Sequence, residues 1–139
     1  MTDLEAMPRQ HEGERLRPYV DTVGKVTIGV GHNLTDKGIP QTVSNMLLME
    51  DIADAIDDVR HVCSVYDQLS RPRQLVLLSM AFNLGRERLG KFVHFLGAIH
   101  RGDWEDAADE MLQSQWARQV GTRATTLAKM MREDNSQWV

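Results

Sequence analysis

The stretch HEGERLRPYVDTVGKVTIGVGH (residues 11–32) holds a glutamate at Glu12, an aspartate at Asp21 and a threonine at Thr27. Eight residues separate the first pair and five the second. Inside it Val26, Ile28 and Val30 alternate with Lys25, Thr27, Gly29 and Gly31. A two-residue period puts the branched apolar side chains on one face of a strand and Thr27 on the other. Val23-Gly24 suits a turn before that strand. The stretch therefore reads as a small antiparallel sheet over residues 17–34.

On its N-terminal side, TDLEAM opens a helix. Thr2 followed by Glu5 is a capping-box pattern, and Gly13 suits the helix end. On its C-terminal side, Pro40 suits the first turn of a longer helix. There Val43, Met46, Met49, Ile52, Ile56 and Val59 recur at three- and four-residue steps, with Asp51, Asp54, Asp57 and Asp58 between them. Ser70 and Pro72 open the next helix and Gly85 closes it; its interior LVLLSMAFNL is apolar almost all round, as in the middle of a core. Further helices are expected from Phe92 to Arg101, from a cap at Asp103 to Gln113, and from a cap at Thr122 to Glu133. Residues 134–139 are expected to be loose, with Trp138 able to dock. The predicted class is α+β. One domain over 1–139 is expected to comprise a sheet lobe over about 13–39, a bridging helix over about 40–60 and a helical lobe over about 61–139 joined by helix 2–12.

Composition suits a globular chain of 139 residues, with 42% hydrophobic and 26% charged side chains. Sixteen basic and twenty acidic residues give a net charge of −4, which lacks the basic footprint of a nucleic-acid binder. The acidity gathers in residues 40–69, which hold one basic and six acidic side chains. A single cysteine, Cys63, excludes an intrachain disulfide and reads as a small packed side chain. No run is long and apolar enough for a membrane span. MTDLEAMPRQHEGER lacks the apolar core of a secretion signal, so synthesis in a cytoplasm without self-export is expected.

Two carboxylates near one concave surface are the minimum for glycoside hydrolysis. One donates a proton to the leaving oxygen; the other activates water or attacks the anomeric carbon. Glu12, at a helix end against the hairpin, suits partial burial. Asp21, in an exposed turn, suits the ionised role, and Thr27 is a candidate for holding water. Gly29 and Gly31 leave room for a sugar chain. By spacing alone this reading competes with ordinary surface charge. HEGER does not complete H-E-x-x-H, because residue 15 is Arg, and no metal site or cofactor is expected.

The longer string HEGERLRPYVDTVGKVTIGVGHNLT (residues 11–35) resembles the catalytic signature of the phage-type lysozymes, the muramidase family of the T-even phage lysozyme. That family has the same glutamate–aspartate–threonine spacing followed by TIGxGH. The resemblance continues through VYDQL (65–69), AFNLG (81–85), GKF (90–92), WEDAA (104–108), SQW (114–116) and TRA (122–124). It implies Glu12 as proton donor, Asp21 as second carboxylate and Thr27 as support for the attacking water. It implies a pair between His32 and Asp67 across the lobes, and Arg123 hydrogen-bonded near Glu12. Asn33 and Phe82 fall where the family lines its sugar cleft, as do Phe95 and Glu110, which replace small or amide side chains. The segment after His32 is shorter than in the T-even form.

The implied substrate is bacterial peptidoglycan, cut between N-acetylmuramic acid and N-acetylglucosamine. The implied setting is a phage or prophage endolysin, monomeric, made in the host cytoplasm and reaching the wall through a separate holin-type pore. A virion- or tailocin-associated lysozyme is the alternative. Peptidoglycan is anionic, so the charge of −4 gives little long-range attraction. A transglycosylase would share the substrate but normally relies on one acid. From another class, residues 103–132 read superficially as a helix-turn-helix regulator with QVGTRA as the turn. The net charge and the unused acid–acid–threonine cluster oppose that reading.

Overall fold

The structure is a computed structural model, and it describes residues 2–136. Trp138 lies outside them. Helices α1 (Asp3–Glu12), α2 (Leu34–Lys37), α3 (Gln41–Val62), α4 (Arg71–Gly90), α5 (Val93–Arg101), α6 (Trp104–Leu112), α7 (Gln115–Val120) and α8 (Thr122–Glu133) accompany strands β1 (Arg15–Val20), β2 (Val26–Gly29) and β3 (His32–Asn33). The class is α+β, as the sequence predicts. The chain divides into two compact units, one ending at Leu47 and the other starting at Leu48, so the boundary falls inside α3.

The first unit carries the sheet, in the order β1-β2-β3, antiparallel throughout. Thr2 opens α1 by donating its backbone N–H to Glu5 Oε2 at 2.9 Å. That bond, reinforced by the Thr2 hydroxyl, holds the Glu5 carboxyl below its ordinary range. Gly13 ends the helix at φ +73°, its N–H on the Arg9 carbonyl. Tyr19 pairs with Thr27 and Val20 with Val26, while the register slips between Arg15 and Tyr19. Pro18 lies within that slip, where its missing N–H costs no ladder bond. Thr27 is the one buried residue of this unit among the described residues, at 3% exposure, whereas Val26 stays 40% exposed. The polar face of β2 is thus the covered one, and hydrogen bonds rather than an apolar core hold this unit.

The second unit has the apolar core. Val76, Leu77 and Met80 of α4, Phe95 and Ile99 of α5, Met111 of α6 and Met130 and Met131 of α8 are all buried. Gly85 breaks α4 at φ +79°, ψ 171°, where the sequence places the end of that helix. A further helical stretch to Gly90 then follows directly, which the sequence does not announce. Gly102 closes α5 in the left-handed conformation, and Asp103 caps α6 by accepting the Asp106 N–H at 3.1 Å. Cys63 is buried, which pushes its thiol pKa up and leaves it unreactive.

Two expectations are corrected. Thr122 is the first residue of α8 rather than its cap; Gly121, at φ +63°, takes the cap position. The helix-turn-helix reading of 103–132 fails on α7, which Ser114 caps through the Ala117 N–H. QVGTRA is the end of α7, a glycine and the start of α8, so α6 and α8 are not consecutive helices.

Candidate active site

Glu12, Asp21 and Thr27 all belong to the first unit. Asp21 closes the β1–β2 turn with both backbone and side chain. Its Oδ1 accepts the N–H groups of Val23 at 2.9 Å and Lys25 at 2.8 Å. Its own N–H donates to the Lys25 carbonyl at 2.9 Å, and Gly24, at φ +84°, returns an N–H to the Asp21 carbonyl. A carboxylate held this way has one oxygen fixed as an acceptor, which orients the other. Asp21 is half-buried, where the sequence reading has it exposed.

Thr27 sits on the same scaffold. Its hydroxyl donates to the Lys25 carbonyl at 3.0 Å. A buried hydroxyl without a partner costs about 1–3 kcal/mol, and this bond removes that cost. It also commits the hydroxyl's single proton, leaving the oxygen as an acceptor toward anything beside it. The backbone of Lys25 therefore holds both residues, by its N–H on Asp21 and its carbonyl under Thr27. The sequence gives no sign of this, because a backbone group has no side-chain signature.

Glu12 ends α1, and its carboxyl lies against the β2–β3 turn. A Cβ on Gly31 would stand 3.3 Å from both Cγ and Oε2 of Glu12. The room left at Gly31 is therefore filled by the glutamate rather than kept for a sugar, which corrects that expectation. The expected partial burial is not seen either: Glu12 is exposed. Gly31→Ala combines a side chain at φ +67° with this crowding. It should cost about 1–2 kcal/mol in a thermal melt and, on the sequence reading of Glu12 as proton donor, lower turnover of the expected wall substrate about tenfold by displacing it. Gly29→Ala is the comparison. Gly29 has φ +66° but nothing within 4 Å, so stability should fall while turnover holds. Equal turnover losses would show that crowding of Glu12 is not the cause.

The other residues singled out by sequence are placed as follows. Asn33 caps α2, its Oδ1 accepting the Asp36 N–H at 3.0 Å and its Nδ2 donating to Asp36 Oδ2 at 2.9 Å. His32 donates Nε2–H to the Gly38 carbonyl at 2.6 Å. Asp67 accepts the Arg60 guanidinium at 2.8 Å. His32 and Asp67 thus each have a partner inside their own unit. Phe82, half-exposed, and Arg123 line one cavity of about 640 Å³ in the second unit with Arg71, Ser79 and Asn83. Phe95 and Glu110 line another of about 510 Å³, with Arg88, Lys91 and Trp116. Phe95 is only 1% exposed and packs edge-on against Phe92, so it shapes the wall and offers little face. Trp116 is 3% exposed, and its buried indole N–H has no hydrogen-bond partner among the described residues.

Residues 9–134 match the phage lysozyme family. The chain belongs to that family. Among its relatives, a probable T4-type lysozyme of Dictyostelium discoideum is 28% identical over 89% of this chain and 90% of its own length. The endolysin of Salmonella phage P22 is 33% identical over 75% of both chains. The pre-baseplate central spike protein Gp5 of Enterobacteria phage T4 is 30% identical over 93% of this chain, which spans only 27% of that protein. Membership makes this chain a lysozyme, a glycoside hydrolase with peptidoglycan as its substrate. None of its described helices is long and apolar enough to cross a membrane.

Proposed function

We propose that this lysozyme cleaves the β-1,4 bond between N-acetylmuramic acid and N-acetylglucosamine with inversion at the anomeric carbon. Glu12 gives its proton to the leaving glycosidic oxygen as the bond to C1 breaks. A water placed between Asp21 and Thr27 gives one proton to the free Asp21 oxygen. It directs its other hydrogen to the Thr27 hydroxyl oxygen, so its lone pair faces C1 and forms the new bond. The observation that carries this reading is the Lys25 carbonyl under the Thr27 hydroxyl, which makes Thr27 an acceptor for water. A retaining enzyme has less use for a second acceptor beside its nucleophile.

Asn33, Phe82, Phe95 and Glu110 remain the proposed substrate contacts, with His32, Asp67 and Arg123 as supports. The unpartnered indole N–H of Trp116 supports a polar ligand in the cavity that Phe95 and Glu110 line. The proposed setting is a monomeric endolysin made in the host cytoplasm that meets the wall after a holin-type pore opens. The match to a baseplate spike protein favours a second setting, a lysozyme carried on a virion or tailocin.

Digestion of purified peptidoglycan tests the chemistry. Mass spectrometry should find reducing N-acetylmuramic acid ends; anhydro ends or free stem peptides would refute it. Proton NMR of the fresh reducing end, before mutarotation, should show the α-anomer first. An initial β-anomer, or a glycosyl adduct on Asp21, would make Asp21 the nucleophile.

A further inference from the structure

The peptide bond between Lys25 and Val26 is planar, so its carbonyl and its N–H turn together as one rigid plate. On one edge, the Lys25 carbonyl accepts the Thr27 hydroxyl at 3.0 Å and the Asp21 N–H at 2.9 Å. On the other edge, the Val26 N–H donates to Thr35 Oγ1 at 2.8 Å. Thr35 stands in α2, outside the sheet, and helix α2 is itself fixed by the Asn33 cap. Beside it Asp36 binds the Lys25 ammonium at 3.1 Å. Two neighbouring residues of one short helix thus hold Lys25, the last residue of the turn, and Val26, the first of β2.

The geometry points to Thr35 as a positioning residue for the catalytic water, acting through this single peptide plane. The inference rests on Thr27 and Asp21 holding that water, as proposed above. Without the Thr35 hydroxyl the Val26 N–H turns to solvent, and the plate, now held only at its carbonyl edge, can rock about it. The Lys25 carbonyl then swings under Thr27, and the hydroxyl's proton follows it. Its lone pairs no longer aim at one point, so the water loses one of its two acceptors. Hydrogen bonds on the two edges of a peptide also polarise one another, so losing the Val26 bond weakens the Thr27 bond directly. The exposed Lys25–Asp36 ion pair contributes less, because solvent screens it.

Thr35→Val keeps the branched shape and removes the acceptor; Thr35→Ser keeps the acceptor. On solubilised peptidoglycan strands, folded Thr35→Val should lose about tenfold in kcat with KM within about twofold of the parent, since alignment rather than binding is disturbed. Thr35→Ser should restore kcat. In a Thr27→Ala background Thr35→Val should lower kcat no further, because the group it positions is gone. If the valine variant does not fold, Thr35→Ala carries the same three comparisons. Parent-like kcat in folded Thr35→Val, or a loss that adds fully to that of Thr27→Ala, would overturn the proposal while leaving Thr27 in its role. Parent-like kcat in Thr27→Ala would instead overturn the role of Thr27, and Thr35 with it.

Discussion

Glu12→Gln is expected to lower peptidoglycan turnover by about 10²–10⁴-fold, the usual worth of a general acid. The amide keeps the size and planarity of the carboxyl, so it occupies the same space beside Gly31. It has no proton to give the departing sugar oxygen at any working pH. No hydrogen bond of the described structure involves the Glu12 side chain, and the residue is exposed, so stability should change by less than about 0.5 kcal/mol. The expected result is a protein that melts with the parent and does not clear cell walls. A folded Glu12→Gln protein that clears walls at the parent rate would remove Glu12 from the mechanism.

Arg73→Ala should be the most damaging change to stability outside the apolar core, costing about 3 kcal/mol. Arg73 stands in the first turn of α4, where a cation opposes the helix dipole, yet its head reaches the opposite kind of site. Its Nε donates to the Met131 carbonyl at 2.8 Å, at the end of α8. Its guanidinium lies 3.9 Å from the centre of the Trp104 ring and 3.6 Å from Asp134 Oδ2. Asp134 closes α8 in the left-handed conformation and accepts the Ser70 hydroxyl from the cap of α4. Burial lowers the guanidinium pKa, but it remains charged at neutral pH. Truncation leaves a buried carbonyl without a donor, about 1–3 kcal/mol, and removes a stacked cation, about 1 kcal/mol. Melting should fall by about 10 °C at 2–4 °C per kcal/mol. Arg73→Lys should recover less than half, since an ammonium cannot stack and fork together. A loss under about 1 kcal/mol in urea titration would mean that the clamp is incidental.

The sequence showed the helices whose ends carry chemistry: Thr2 with Glu5, Asp103 and Gly102 all act where their residue types predict. It showed the sheet through a strict two-residue period. Helix α7 was hidden because six residues are too few for a helical period to emerge. Arg73 was hidden because its partners Trp104, Met131 and Asp134 are all remote in sequence, on later elements, and one arginine near a helix start resembles any other. For the site, sequence supplied the carboxylates and the threonine but not what holds them. That work falls to the Lys25 backbone and to Gly31, and neither carries a reactive group. The expected burial of Glu12 failed for a related reason: spacing sets which residues come near one another, and solvent exposure depends on what else covers them.

Both margins of the three-stranded sheet are closed to further strands. On the β1 side, Pro18 withholds an N–H, the pairing slips between Arg15 and Tyr19, and Arg15 and Arg17 add charge. On the β3 side, the strand ends after two residues and the chain turns into α2. An incoming extended chain therefore finds no continuous row of donors and acceptors to copy. The unit that carries Glu12, Asp21 and Thr27 has almost no apolar interior of its own, a condition under which exposed strand margins would invite self-templated aggregation. Interrupting both margins keeps a sparsely packed sheet from templating the addition of further strands.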